Sequence, residues 1–194
     1  MFQTEAILID TSLKEKAWSQ LFYGLEKRAF RFACLELGDS GQAGDMVQEA
    51  AIKLMQKYSD RPTEEWVALF YAILRNHIRD HQRRQRLERL LGFWRTENDD
   101  AEEDLSALPD LFPSPDDQLS GQQLGTQIES ALRQLPNRQR EAFLFREWQE
   151  LSVEETAMAM GCSSGSVKVH HYRALRRLRT LLADWAPGGY NDEA

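Results

Sequence analysis

Residues 151–182 read LSVEETAMAMGCSSGSVKVHHYRALRRLRTLL, a short helix, a tight polar turn and a basic second helix. Ser152 is placed to cap the first helix, and Glu155, three residues on, completes a capping box. Val153, Thr156, Ala157 and Met160 share one side at helical spacing. Gly161 supplies the left-handed residue that closes such a helix without strain. Ser163 or Ser164 caps the next helix, whose inward face carries Val167, Ala174, Leu175, Leu178 and Leu181. The opposite face is basic. This is the pattern of a helix-turn-helix, whose second helix enters the DNA major groove.

Each residue advances the second helix by about 100°. With Val167 set inward, Gly165, Val169, Tyr172 and Arg176 lie nearly opposite, and Lys168 and Arg173 flank them. Gly165, Lys168, Val169 and Tyr172 stand nearest the N-terminal end, where such helices reach base edges. Arg173, Arg176, Arg177 and Arg179 lie further along and suit phosphate contacts, which position a protein without reading sequence. An ordinary amphipathic helix with a solvated basic face is the plainer alternative. Residues 165–182 hold five Lys/Arg and no acid, which favours a phosphate-binding surface. His171 falls on the inward stripe, where a histidine at the edge of the core is expected rather than a ligand.

The rest of the chain must be consistent with this. Its 194 residues suit one large or two small domains. No apolar run approaches the roughly 18 residues of a membrane span. The start, MFQTEAILIDTSLKEKAW, lacks the basic, apolar and small-residue sequence of an export signal, so a cytoplasmic protein without membrane insertion is expected. Cys34 and Cys162 are far apart and form no metal or redox spacing, so both read as packed thiols in a reducing compartment. Net charge is −7, but its distribution is uneven. Residues 75–89 carry six arginines against Asp80 and Glu88, whereas 97–117 carry nine Asp/Glu and no Lys/Arg. Local fields, not the total, decide where a polyanion binds.

The acidic stretch, ENDDAEEDLSALPDLFPSPDD, also holds Pro109, Pro113 and Pro115. Proline and like-charge repulsion disfavour a helix there, so residues 97–117 are expected to be a flexible tether between domains at 1–96 and 118–194. Both sides read as wholly helical, with no alternating β pattern. Helices are expected over 14–37 (Trp18, Leu21, Phe22, Leu25, Phe30, Cys34 and Leu37 inward) and 43–58 (Val47, Ala50, Ala51, Leu54, Met55 and Tyr58 inward). A third covers 64–90 (Trp66, Val67, Phe70, Leu74 and Ile78 inward), and two more cover 118–134 and 137–148. The fold class is all-α: two small helical domains joined by an acidic linker, the C-terminal one a helix-turn-helix.

Taken together the two halves resemble one family, the bacterial RNA polymerase sigma factors of the extracytoplasmic-function (ECF) type. LPNRQREAFLFREWQELSVEETAMAMGCSSGSVKVHHYRALRRLR resembles that family's minus-35 promoter-binding domain. GDMVQEAAIKLMQKY resembles its polymerase-binding helix, and WVALFYAILRNHIRDHQRR its minus-10 melting helix. The resemblance implies roles for matching positions. Asp45, Val47, Gln48 and Glu49 fall in the segment that docks on core RNA polymerase. Trp66, Tyr71, Arg75, Asn76, Arg79, Arg83 and Arg84 fall on the minus-10 side. There Trp66 and Phe70 read also as core, Tyr71 as the better candidate to stack on an exposed base, and the arginines as phosphate contacts. Ser164, Gly165, Lys168, Val169, His170, Tyr172, Arg173 and Arg176 fall on the minus-35 side.

The implied function is to bind core polymerase, direct it to promoter DNA and help open it, as a monomer when free, with an anti-sigma factor as a candidate regulator. Val169 and His170 stand where the family typically has serine and arginine, and His171 where leucine is usual. A valine facing bases suits a thymine methyl. The loop SDRPTEE also departs from the family's common stretch. The acidic linker is either a plain spacer or a nucleic-acid mimic within polymerase. The rival reading is a stand-alone helix-turn-helix regulator, which leaves the N-terminal half unassigned. An enzyme is not expected: His77 and His81 share a helix face at a zinc-like spacing but lack a third ligand or a glutamate between them. No cofactor or metal is implied.

Overall fold

The structure, a computed structural model, describes residues 2–92 and 120–183. The chain divides between Ser106 and Ala107 into two compact units. The acidic stretch 97–117 lies outside the described residues. Every regular element in the described residues is helical.

The N-terminal unit holds α1 (Phe2–Leu37), α2 (Ser40–Tyr58) and α3 (Trp66–Gly92), with a short 3₁₀ turn at Thr63–Glu65 before α3. α1 thus begins well before the expected residue 14. It ends at Gly38, whose φ of 78° is the left-handed conformation that only glycine takes without strain. The polar stretch after it does not interrupt the chain for long. Asp39 caps α2 through its side chain, which accepts from the Gln42 backbone N–H at 3.0 Å.

The unit's core is an aromatic column between α1 and α3. Trp18 stacks on Phe22 at 4.9 Å and meets Trp66 edge-on at 5.5 Å. Phe22 meets Phe70, which meets Tyr71, which in turn meets Phe32. Each such pair adds about 0.5–1.5 kcal/mol beyond the area it buries. Val47, Ala50 and Leu54 of α2 close the core from the other side. Two polar ties hold the ends: Trp66 Nε1 donates to the Arg61 carbonyl at 3.0 Å, and Gln82 to the Glu36 carbonyl at 2.8 Å.

The C-terminal unit contains α4 (Ser120–Arg133), α5 (Asn137–Phe143), a π-helical turn (Leu144–Trp148), α6 (Val153–Met160) and α7 (Ser164–Leu181). The helix expected over 137–148 is therefore two conformations. Its last part widens so that the Gln149 N–H reaches the Leu144 carbonyl at 3.0 Å. Glu150 follows with φ of 56°, a left-handed conformation unusual for a residue with a side chain. The helix-turn-helix has the expected local construction. Ser152 and Glu155 form a complete capping box, Gly161 is left-handed at φ 60°, and Ser163 rather than Ser164 caps α7. Leu132, Leu135, Leu144, Phe145, Met160, Val167, Ala174 and Leu178 make the core. Leu175 and Leu181 are half-buried at its edge.

Candidate nucleic-acid interface and docking face

Capping of α7 by Ser163 and burial of Val167, Ala174 and Leu178 fix which side of that helix faces outward. Gly165, Lys168, Val169, Tyr172, Arg173 and Arg176 are all exposed, with Val169 at 47% and Tyr172 at 66%. An apolar and an aromatic side chain are thus left in water beside a lysine. Ser164 is half-buried in the first turn. His170 is half-buried at the flank, and its Nδ1 lies buried with no hydrogen-bond partner among the described residues. Burial first, then the nearby Arg138 and Arg173 guanidinium groups, hold its imidazole below the ordinary histidine range. Arg138 comes from α5, where it donates to the Met160 carbonyl at 2.7 Å. It is a cation near the recognition helix that the sequence reading passed over, because its helix is remote in sequence. His171 stands at the core edge as expected, paired with Glu147. Cys162 is half-exposed in the turn rather than packed.

The second basic face, on α3, is narrower than the sequence suggests. Asn76, Arg79, Arg83 and Arg84 are exposed. Trp66, Tyr71 and Arg75 are not: they are 3%, 0% and 4% exposed. The assignment of Tyr71 as a base-stacking side chain is therefore corrected, since its ring is wedged between Phe32 and Phe70. Burial pushes its phenol far above the usual range, against a smaller opposing effect of Arg28. Trp66 lies on the inward stripe and belongs to the core, whereas the burial of Tyr71 and Arg75, off that stripe, has one cause. α3 packs on both α1 and α2, so its covered arc is wider than a single stripe. Exposed Leu87, Leu90 and Leu91 follow the arginines towards the end of the helix.

On α2, Asp45, Gln48 and Glu49 are exposed, whereas Val47 is buried at 4% and belongs to the core. Met55 also departs from expectation. It lies 47% exposed beside Ile52 at 54%, so the outer face of α2 mixes carboxylates with two apolar side chains. Behind this face Lys53 Nζ donates to His77 Nε2 at 3.1 Å, with a Glu49 carboxylate oxygen 3.7 Å from Nδ1. Burial, then Lys53, keep His77 below the ordinary range, while Glu49 and Asp80 pull the other way. A lysine donating to the ring requires an unprotonated nitrogen, so His77 is the neutral hinge of a small polar tie between α2 and α3. No cluster of three or more metal-ligating side chains occurs among the described residues. Among the same residues, no helix is long and apolar enough to cross a membrane.

A helix-turn-helix with a basic second helix, together with a separate three-helix unit bearing its own basic face, is the organisation expected of the sigma-factor class. Comparison with known proteins agrees. The model "Sigma-70, region 4" matches residues 125–178. The ECF RNA polymerase sigma factor BldN of Streptomyces coelicolor is 30% identical over 175 residues, 87% of this chain and 61% of BldN. The ECF RNA polymerase sigma factor SigD of Mycobacterium tuberculosis is 31% identical over 154 residues, 76% of this chain and 66% of SigD. The chain thus spans just over three fifths of BldN's length. In fold it resembles the sigma factor RpoE, solved in complex with the anti-sigma factor NepR from Bartonella quintana. The TM-score is 0.62 at 24% identity, covering 94% of this chain and 96% of that one. The chain belongs to the ECF RNA polymerase sigma factors.

Proposed function

We propose that this chain joins core RNA polymerase in the cytoplasm and directs it to specific promoters, where it helps to open the duplex. In this reading α2 docks on polymerase through Asp45, Gln48 and Glu49, joined by Ile52 and Met55 as the apolar part of the contact. The outer face of α3, with Asn76, Arg79, Arg83 and Arg84, meets the minus-10 region, and α7 reads the minus-35 region. The observation that carries the proposal is the outward face of α7, where Lys168, Val169 and Tyr172 stand exposed on a helix whose described basic flank has no acid. Residues 1–96 and 118–194 act as two domains with 97–117 as their tether, and the free chain is a monomer. An anti-sigma factor is a fitting regulator, given that the structurally similar RpoE was solved with one.

A stand-alone regulator would use the C-terminal unit alone and dimerise on paired half-sites. The similarity to BldN runs over 87% of the chain, which supports a role for both units. Co-elution with core polymerase followed by run-off transcription separates the two readings. A promoter-dependent transcript is expected. Holoenzyme that initiates nowhere, or tight binding of the isolated chain to palindromic DNA, defeats the proposal.

The division of labour makes a further prediction. Lys168→Ala and Tyr172→Ala weaken promoter selection by about 1–3 kcal/mol per direct base contact and leave polymerase affinity unchanged. Ile52→Asp or Gln48→Ala with Glu49→Ala does the reverse, as read by polymerase pull-down beside the transcription assay.

A further inference from the structure

The π-helical turn at Leu144–Trp148 carries Glu147 to the side of the recognition helix, where its Oε1 lies 2.7 Å from His171 Nε2. The turn itself is braced. Its backbone closes through Gln149 to Leu144 and Leu151 to Phe145, each at 3.0 Å, and the Arg146 guanidinium donates to the Leu151 carbonyl. Glu147 thus projects from a fixed backbone rather than a loose loop. The two side chains are 21% and 46% exposed, near enough to water for a modest energy but with one well-defined partner each. By helical advance His171 sits about 40° from the buried Val167, on the same flank as Lys168 and Tyr172. Two small movements of α7, a slide along its axis and a roll about it, bear on where its outward side chains fall. A hydrogen bond is directional and resists both.

We infer that His171 and Glu147 are a positioning pair: the buried face of α7 fixes which side looks outward, and their hydrogen bond trims the remaining roll of the helix and so the base discrimination of Lys168, Val169 and Tyr172. The inference rests on reading α7 as the minus-35 helix. A roll of about 10° moves a side-chain tip about 5–6 Å from the axis by about 1 Å. That is enough to spoil a bidentate base contact, while phosphate contacts from long arginines tolerate it.

The test uses the full chain assembled with core polymerase and a randomised duplex pool, from which the wild type enriches a preferred sequence. The quantity read is the affinity ratio between that duplex and one with its minus-35 half scrambled, which cancels any uniform change in charge. His171→Leu and Glu147→Ala are each expected to lower the ratio about three- to fivefold. The double variant should fall no further, and His171→Gln, which keeps a donor, should recover part of the loss. Urea midpoints of the single variants should stay near wild type. An unchanged ratio in both single variants overturns the pair's role. So does a lowered ratio that appears only alongside a lowered midpoint, since that marks general destabilisation. If the wild type enriches no sequence at all, the promoter reading fails and the inference falls with it.

Discussion

His77 and His170 share a condition that has a measurable consequence: burial is the main cause holding both below the ordinary range, and nearby cations add to it. The unfolded chain has histidines near 6.5, so on acidification it takes up protons before the folded chain does. The stabilising contribution is thus complete above that value and is lost as pH falls through the depressed folded values. The urea midpoint of the N-terminal unit is expected to drop between about pH 7.5 and about pH 5.5. His77→Gln, whose amide oxygen still accepts from Lys53, should lose less over the same interval, and an equal loss in both proteins would contradict the sign. Neither environment could be read from the sequence, because Lys53 and His77 are brought together only when α2 packs on α3. Tyr71 illustrates the same limit. Its spacing separates it from the stripe of Trp66, Phe70, Leu74 and Ile78, yet its ring meets Phe32 of α1 and it is completely buried.

Among the elements, what depends on nearby residues was legible and what depends on distant ones was not. The capping box of Ser152 and Glu155 and the left-handed Gly161 are local chemistry, settled within three or four positions. Ser152→Ala removes the acceptor for the Glu155 N–H and should cost the C-terminal unit about 0.5–2 kcal/mol. Ser152→Asp should largely restore it, as measured by urea denaturation. The wide turn at Leu144–Trp148 was not legible. One wider turn barely disturbs the helical spacing of apolar positions in so short a segment, so residues 137–148 read as one continuous helix. The outer face of α2 was misjudged for a related reason. A helical wheel ranks Met55 as inward, but it cannot say how far a neighbour's cover extends, and there the cover stops short of Ile52 and Met55.

Across the whole molecule, a chain of net charge −7 carries strongly basic segments on two separately folded units. The division into two units and the order of the basic segments were legible in charge runs and a proline cluster, and the all-α class in helical spacing, because none of these needs tertiary knowledge. DNA affinity should depend on the phosphates neutralised locally rather than on net charge. Each exposed arginine on α7 that meets a phosphate should contribute about one to the slope of log affinity against log salt. Arg176→Gln is expected to reduce that slope by about one while leaving base preference as it was, whereas a changed preference would make Arg176 a reader rather than an anchor. The aromatic column offers a way to watch the other unit. Trp18 and Trp66, with ring centroids 5.5 Å apart and planes inclined at 63°, are close enough to share an excited state. Coupled indoles of this kind give paired circular-dichroism bands of opposite sign, an optical couplet that disappears when α1 parts from α3. The N-terminal unit thereby carries its own unlabelled spectroscopic reporter of whether α1 and α3 stay packed together, which can be read during the proposed opening of a duplex.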